Sequence, residues 1–272
     1  MAVQASVAEA CRRPEPTEPG DSSDLLGQYL HQIGSTSLLS AAEEVELAKR
    51  IEAWVYAASC SARPLPPTRS LVSLDRKAPV IVVGRRIADR ELDVVRSADE
   101  EGVGLLVDHM VGLGHRAIAH IDGGKGVIST DRRRGYRTAV RRLGLDAHIR
   151  VLRGDNTEAA GERAARRLLD SGELPTAVVA YNDQCAIGVL AALQRAGVAV
   201  PGEVSVAGYD DDTLSRLSCF DLTTVSQGAR EQARYAVAAV VERLDQDRAE
   251  PREVVLTPEL VVRGTIAEPR DG

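Results

Sequence analysis

The sequence has no cysteine pair at metal-binding spacing. Its four cysteines, Cys11, Cys60, Cys185 and Cys219, lie far apart with no CxxC, so neither a zinc site nor a dense disulfide framework is expected, and reduced thiols are. Excess positive charge is lacking as well. The 34 Lys and Arg set against 40 Asp and Glu give a net charge of -6, which argues against broad binding to nucleic acid or anionic membrane, because neutralising phosphates needs clustered cations. Direct DNA contact would therefore be local or borrowed from a partner. The amino terminus, MAVQASVAEACRRPEPTEPG, has no basic start followed by an apolar core, and no later run is long enough to span a bilayer. A cytoplasmic location with no membrane partner is the expectation. What is present is a hydrophobic content of 44% over 272 residues, enough for one large or two modest domains with a real core.

Composition divides the chain. Residues 1–23 are rich in Pro, Glu and small side chains and are predicted to be disordered. From Asp24 two helical patterns follow, separated by Gly34-Ser35-Thr36. Leu25, Leu26, Tyr29, Leu30 and Ile33 share a face in the first, and Val45, Leu47, Ala48, Ile51 and Val55 in the second. Ser40 with Glu43 forms a capping-box signature. Periodicity alone makes this pair a small packing or dimerisation element. Residues 58–78 mix Pro, Ser and Arg and read as a linker.

Beyond the linker, apolar runs and helical patterns alternate. Strands are predicted at Val80 to Val83, Ala117 to Ile121, Val151–Leu152, Ala177 to Ala180, Val204 to Ala207 and Leu222 to Val225, with closing strands at Glu253 to Thr257 and Leu260 to Val262 around Pro258. Helices are predicted at Asp99 to Leu113, Asp131 to Leu143, Thr157 to Ser171, Asp183 to Ala196 and Gln227 to Leu244. The stretch Thr176 to Asp212 is one βαβ unit, and the alternation as a whole predicts an α/β fold with doubly wound, mostly parallel sheets.

In such sheets ligands bind beyond the carboxyl ends of the strands. Asp122, Asn182 and Asp210 stand at three such ends, and carboxylates and amides suit the paired hydroxyls of a sugar. Arg132, at the start of its predicted helix, can fork onto hydroxyls or a carboxylate. The plainer readings are helix capping for Asn182 and Asp183 and a surface turn for Asp210 to Asp212. Asp122-Gly123-Gly124-Lys125-Gly126 matches neither phosphate-loop pattern and is read as a βα loop with its helix starting several residues later. His109, His115 and His120 do not converge on a metal, and the Arg residues between Arg132 and Arg142 read mostly as a solvated face. No nucleophile and base stand together, so neither catalysis nor a cofactor is expected.

Two resemblances sharpen this reading. Tyr29-Leu30-x-x-Ile33-Gly34, Leu38-Leu39-Ser40 and Glu43-Glu44-Val45-Glu46-Leu47-Ala48-Lys49-Arg50-Ile51-Glu52-Ala53 resemble the short helical segment that precedes the promoter-recognition core of principal-type bacterial sigma factors, over about residues 24–57. Trp54 stands where that family usually has Gly. The resemblance ends before the polymerase-binding and promoter-melting helices, so a whole sigma activity is excluded. From about 78 to 265, Gly112-Leu113-Gly114-His115-Arg116-Ala117-Ile118, Asp131-Arg132-x-x-Gly135-Tyr136, Asn182-Asp183, Val204-Ser205-Val206-x-Gly208-Tyr209-Asp210 and Leu222-Thr223-Thr224-Val225 resemble the effector domain of LacI/GalR-type transcriptional regulators, a periplasmic-binding-protein-like fold.

That second resemblance implies effector contacts from Arg132, Asn182 and Asp210, with Gln227 at an inter-lobe crossover and Asn156 where many members place an aromatic platform. It also implies a missing helix-turn-helix and an amino-terminal lobe short of strands, with apolar faces partly uncovered. The expectation is a domain over 79–268 that senses a sugar-like, polyol or nucleoside effector without enzymatic activity. A homodimer, and a contact to RNA polymerase through residues 24–57, are the implied partners. The alternatives are a recombined or truncated remnant, or a sugar-binding module with no regulatory role. An extracytoplasmic binding protein is opposed by the missing signal peptide, and a Rossmann-type enzyme by the missing glycine fingerprint.

Overall fold

The computed structural model describes residues 54–57, 68–76, 78–87, 91–245 and 248–270, and for 54–57 the backbone alone. The disordered segment assigned to residues 1–23 and the predicted helical segment 24–57, except its last four residues, lie outside the described residues.

The carboxyl-terminal lobe is built on a parallel sheet of order β5-β4-β6-β7, with β4 at Ile118–Ile121, β5 at Arg150–Leu152, β6 at Ala177–Ala180 and β7 at Ser205–Ala207. A parallel strand covered on both faces needs apolar residues on both, and Ala177, Val178, Val179 and Ala180 are each almost wholly buried. Alternate residues feed two different cores. Val178, Ala180 and Val206 pack with helices α4 (Glu158–Asp170) and α5 (Asp183–Arg195), whereas Ala177, Val179 and Ala207 pack with α2 (Asp99–Gly112) and α3 (Val127–Arg142). Each valine buried in this way contributes about 1.5–3 kcal/mol. The α4–α5 contact is close because Gly161 and Gly188 face it. A Cβ on Gly161 would stand 1.9 Å from the Cys185 carbonyl oxygen, and one on Gly188 1.9 Å from that of Glu158.

The amino-terminal lobe has its own parallel sheet, of order β1-β2-β3-β9. Here β1 is Trp54–Ala57, β2 Val80–Val83, β3 Asp93–Ser97 and β9 Glu253–Leu256. Two of these strands depart from the sequence reading. The helical pattern of the sequence includes Val55, yet Trp54–Ala57 pairs in parallel with Val80–Val83; the run WVYA is aromatic and β-branched, which suits a pleated strand. The strand Asp93–Ser97 was not read at all. The expected linker contains helix α1 (Thr68–Asp75), whose Leu71 is buried against Val80, Val82, Leu92 and Val94. With these additions the sheet reaches four strands, and β2 is covered on both faces, since successive residues Val80, Ile81 and Val82 are all 0% exposed. The expectation of partly uncovered apolar faces therefore does not hold at β2.

Buried charge locks the edge of this lobe. Asp93 on β3 accepts a hydrogen bond from the Arg252 amide (2.9 Å) and pairs with Arg248 (3.0 Å), while Arg243 of α6 (Ala229–Asp245) pairs with Asp75 of α1 at 2.7 Å.

Three segments pass between the lobes. The chain leaves β3 through Ala98 into α2, leaves β8 (Thr224–Ser226) through Gln227-Gly228 into α6, and leaves β9 through Thr257-Pro258 into β10 (Glu259–Val261). The two closing strands thus do not pair with each other. β9 runs parallel to β3, and β10 runs antiparallel to β8, which extends the carboxyl-terminal sheet through a bridge between Ala207 and Thr223. The Ala98 amide donates to the Leu256 carbonyl at 3.0 Å, so two of the crossovers are joined directly. Among the described residues no helix is long and apolar enough to cross a membrane.

Candidate functional site

Helix α3 begins at Val127, four residues earlier than its predicted start, so Arg132 sits on the second turn of the helix and not at its start. Its guanidinium is 2% exposed and fully engaged. Nε donates to Asp99 Oδ1 (2.8 Å), Nη1 to the Tyr181 carbonyl (2.6 Å) and Nη2 to Asp210 Oδ1 (3.1 Å). The Tyr209 ring lies beneath it with 3.8 Å from Cζ to the ring centroid, and the Tyr181 ring lies at 4.8 Å. Burial alone would lower the Arg132 pKa, but the fields of Asp210 and Asp99 hold it well above its ordinary value. One guanidinium faces two carboxylates in little water, and desolvation raises the pKa of both Asp99 and Asp210 despite the pairing with Arg132.

Asp210 closes β7 with a backbone φ of 117°, and Asp211 follows at 54°. An L-residue held in this region is strained, and strain of this kind is retained where the surroundings over-determine it. Here they do. The Asp210 amide donates to the Val225 carbonyl (2.8 Å), and the Gln227 side chain donates to Asp210 Oδ1. From below, Asp183 accepts hydrogen bonds from Thr224 Oγ1 (2.6 Å) and from the Asp212 amide (2.8 Å), while its own amide donates to the Tyr209 carbonyl (2.9 Å). Asp183 is wholly buried, and burial pushes its pKa up to about 7.

The structure brings Arg132, Asp210 and Gln227 into one hydrogen-bonded cluster at the joint of the two lobes. Asn182 and Asn156 form a second, adjacent pair: Asn182 Nδ2 donates to the Asn156 carbonyl at 3.2 Å, and Asn182 Oδ1 caps α5 by accepting from the Cys185 amide at 2.9 Å. The capping role considered for Asn182 is thus present. Asp122 stands apart from both. It accepts from the Gly124 and Gly154 amides and pairs with Arg133 at 2.7 Å, which uses its oxygens to tie two loops together. The surface-turn reading of Asp210 to Asp212 does not hold, because that turn is pinned to Asp183, Val225 and, through Asp211, to Arg263.

Sequence reasoning missed Asp99, which follows β3 by two residues. The polar-strand-end rule that found Asp210 would have found it had that strand been recognised. It also missed the inter-lobe pair of Arg86, on the loop after β2, with Asp131 of α3, where Nε and Nη2 engage the carboxylate at 2.8–3.2 Å. The histidines are spoken for separately: His115 meets Thr176 Oγ1 and the Ala267 carbonyl, and His120 meets the Val179 carbonyl.

Two α/β lobes joined by three crossovers, with a buried Arg and carboxylate cluster at the joint, define a periplasmic-binding-protein-like domain. The family model of the periplasmic binding protein-like domain matches residues 107–266, and that of sigma-70 factor region 1.2 matches residues 24–57. The chain is 30% identical over 196 residues to the arabinose metabolism transcriptional repressor of Geobacillus stearothermophilus, covering 70% of this chain and 54% of the relative. It is 32% identical over 208 residues to the transcriptional regulator GalR of Salmonella typhimurium, covering 75% and 61%. The solved LacI transcriptional regulator from a Rhodococcus species superposes with a TM-score of 0.75 at 38% identity, covering 86% of this chain and 85% of that one. The chain belongs to the LacI/GalR-type family of transcriptional regulators. It spans little more than half the length of the curated relatives it matches.

Proposed function

We propose that the two-lobed domain senses a small, hydroxyl-rich effector, sugar-like in chemistry, and converts its binding into a transcriptional response through lobe closure. The observation that carries this reading is the Arg132, Asp210 and Gln227 cluster seated where the crossovers meet. Carboxylate and amide oxygens accept from vicinal hydroxyls, and Arg132 holds Asp210 in place for that role, so a ligand engaging Asp210 and Gln227 touches the carboxyl-terminal lobe and a crossover at once. Asn182 and the Asn156 backbone border it and supply the next polar contacts. Asp122 belongs to the effector set only if its loop ties open. The Geobacillus relative, whose name concerns arabinose metabolism, supports a sugar as the effector class.

The sigma-like stretch gives this regulator a route to RNA polymerase. Its last four residues are strand β1, so the stretch runs on in sequence into the amino-terminal sheet. In this reading transcriptional output passes through polymerase, with direct operator binding not required and a homodimer as the working form.

The test is thermal unfolding of the full chain across pentoses, hexoses, polyols and nucleosides. A ligand at about a hundred times its Kd stabilises the folded state by about 2.7 kcal/mol, and Asp210→Asn should abolish that gain. A panel in which no compound raises the Tm would overturn the reading.

A further inference from the structure

A second site, independent of the effector reading, lies on the outer flank of α3. An open cavity of about 620 Å³ is bordered by Lys125, Arg133, Arg137 and Arg153, with Asp122 and the glycine turn ending at Gly126. Four cations face one carboxylate. Arg133 is paired with Asp122, but among the described residues Lys125, Arg137 and Arg153 meet no carboxylate. Neighbouring arginines behave differently: Arg134, Arg141, Arg142, Arg163 and Arg166 each pair with Asp or Glu. In a chain of net charge -6, uncompensated cations gathered around one opening are not a generally solvated face.

The backbone adds to this field. The helix begins immediately after Gly126, against the expectation of a start several residues later, and Gly126 has φ 138° with no side chain to cap the helix. The Thr130 amide makes the first intrahelical bond, to the Gly126 carbonyl. The amides of Val127, Ile128 and Ser129 therefore precede the helical ladder at the end where α3 carries partial positive charge. A Cβ at Gly126 would meet nothing within 4 Å, so the approach is open.

We propose that this cavity binds the phosphate group of a small phosphorylated metabolite. A phosphomonoester dianion answers several unpaired cations at once, where a carboxylate answers one, and guanidinium forks match its oxygens. The volume lies within the range of small-molecule sites and leaves room for a carbon skeleton beside the half-buried Val151.

Isothermal titration of the full chain at low ionic strength, with a hexose 6-phosphate, inorganic phosphate and the unphosphorylated hexose, tests the assignment. Arg137→Gln with Arg153→Gln alters two exposed residues, and Arg141→Gln on the same helix controls for loss of a cation outside the cavity. The hexose 6-phosphate should bind saturably, about tenfold or more weaker in the double variant and about equally in Arg141→Gln. No saturable phosphate binding, or equal binding by the wild type and the double variant, would overturn the proposal. Loss in Asp210→Asn but not in the double variant would also overturn it, by moving the anion to the effector cleft. Tighter binding of a phosphopeptide or a short DNA duplex, abolished by the double variant, would replace the metabolite with a macromolecular partner.

Discussion

Replacing Asp183 by Asn probes the carboxylate beneath the Asp210 turn, and its effect should depend on pH. Asp183 is wholly buried, and desolvation raises its pKa to about 7 against the opposing hydrogen bonds from Thr224 and the Asp212 amide. Because the folded value lies above the ordinary carboxylate value, the folded chain holds a proton that the unfolded chain has released. The stability this group contributes is therefore complete below about pH 4 and lost as the pH rises through about 7. At about 1.4 kcal/mol per pH unit, the whole interval is worth about 4 kcal/mol.

Asn can occupy the same space with both contacts kept. Its oxygen accepts from the Asp212 amide, and its amide group donates to Thr224 Oγ1, whose hydroxyl can rotate to accept. Urea unfolding should then show the wild type losing about 3 kcal/mol more than Asp183→Asn between about pH 5 and about pH 8, with unchanged m-values. Parallel stability curves would refute the assignment of this pH dependence to Asp183. A steeper fall in the variant would show instead that the ionised form is the one the turn requires.

Arg132→Met should destabilise the chain by about 3–5 kcal/mol in the same assay, because two buried carboxylates lose their partner, and adding Asp99→Asn should restore part of that loss. Gly188→Ala would press a methyl group against the Glu158 carbonyl and should cost about 1–3 kcal/mol, read as a lower Tm. Arg86→Ala removes an inter-lobe pair whose Arg side chain is 44% exposed. Stability should change by less than about 1 kcal/mol, while hydrogen exchange at the Ala98 and Gly228 crossovers should accelerate.

The carboxyl-terminal lobe was legible because its strands are short apolar runs closed by turn residues, and parallel strands buried on both faces look like that in any sequence. Strand β3 was not legible for a physical reason. Asp93 and Ser97 are both 1% exposed, so a buried strand carries polar residues at its two ends, and Asp93 is paired with arginines about 150 residues further on. Strand β1 was hidden differently, since its residues also complete a helical period with the residues before them. Both failures concern pairings that are local in space and remote in sequence.

The same distinction separates the parts of the site. Asp210 and Asn182 announce themselves at the ends of readable strands, whereas Asp99 stands behind an unread one, and the partners of Arg132 come from three separate segments. Residues of the cluster and its neighbours also line the crossovers. Asp99 follows the first crossover, Gln227 lies in the second, and the Leu256 carbonyl that holds Ala98 precedes the third. In the proposed reading, an effector engaging Asp210 would compete with or reinforce its bonds to Arg132 and Gln227, and so act on residues beside the crossovers. Coupling between binding and lobe geometry would then require no separate pathway, because the groups proposed to meet the ligand are bonded to residues at or next to the crossovers.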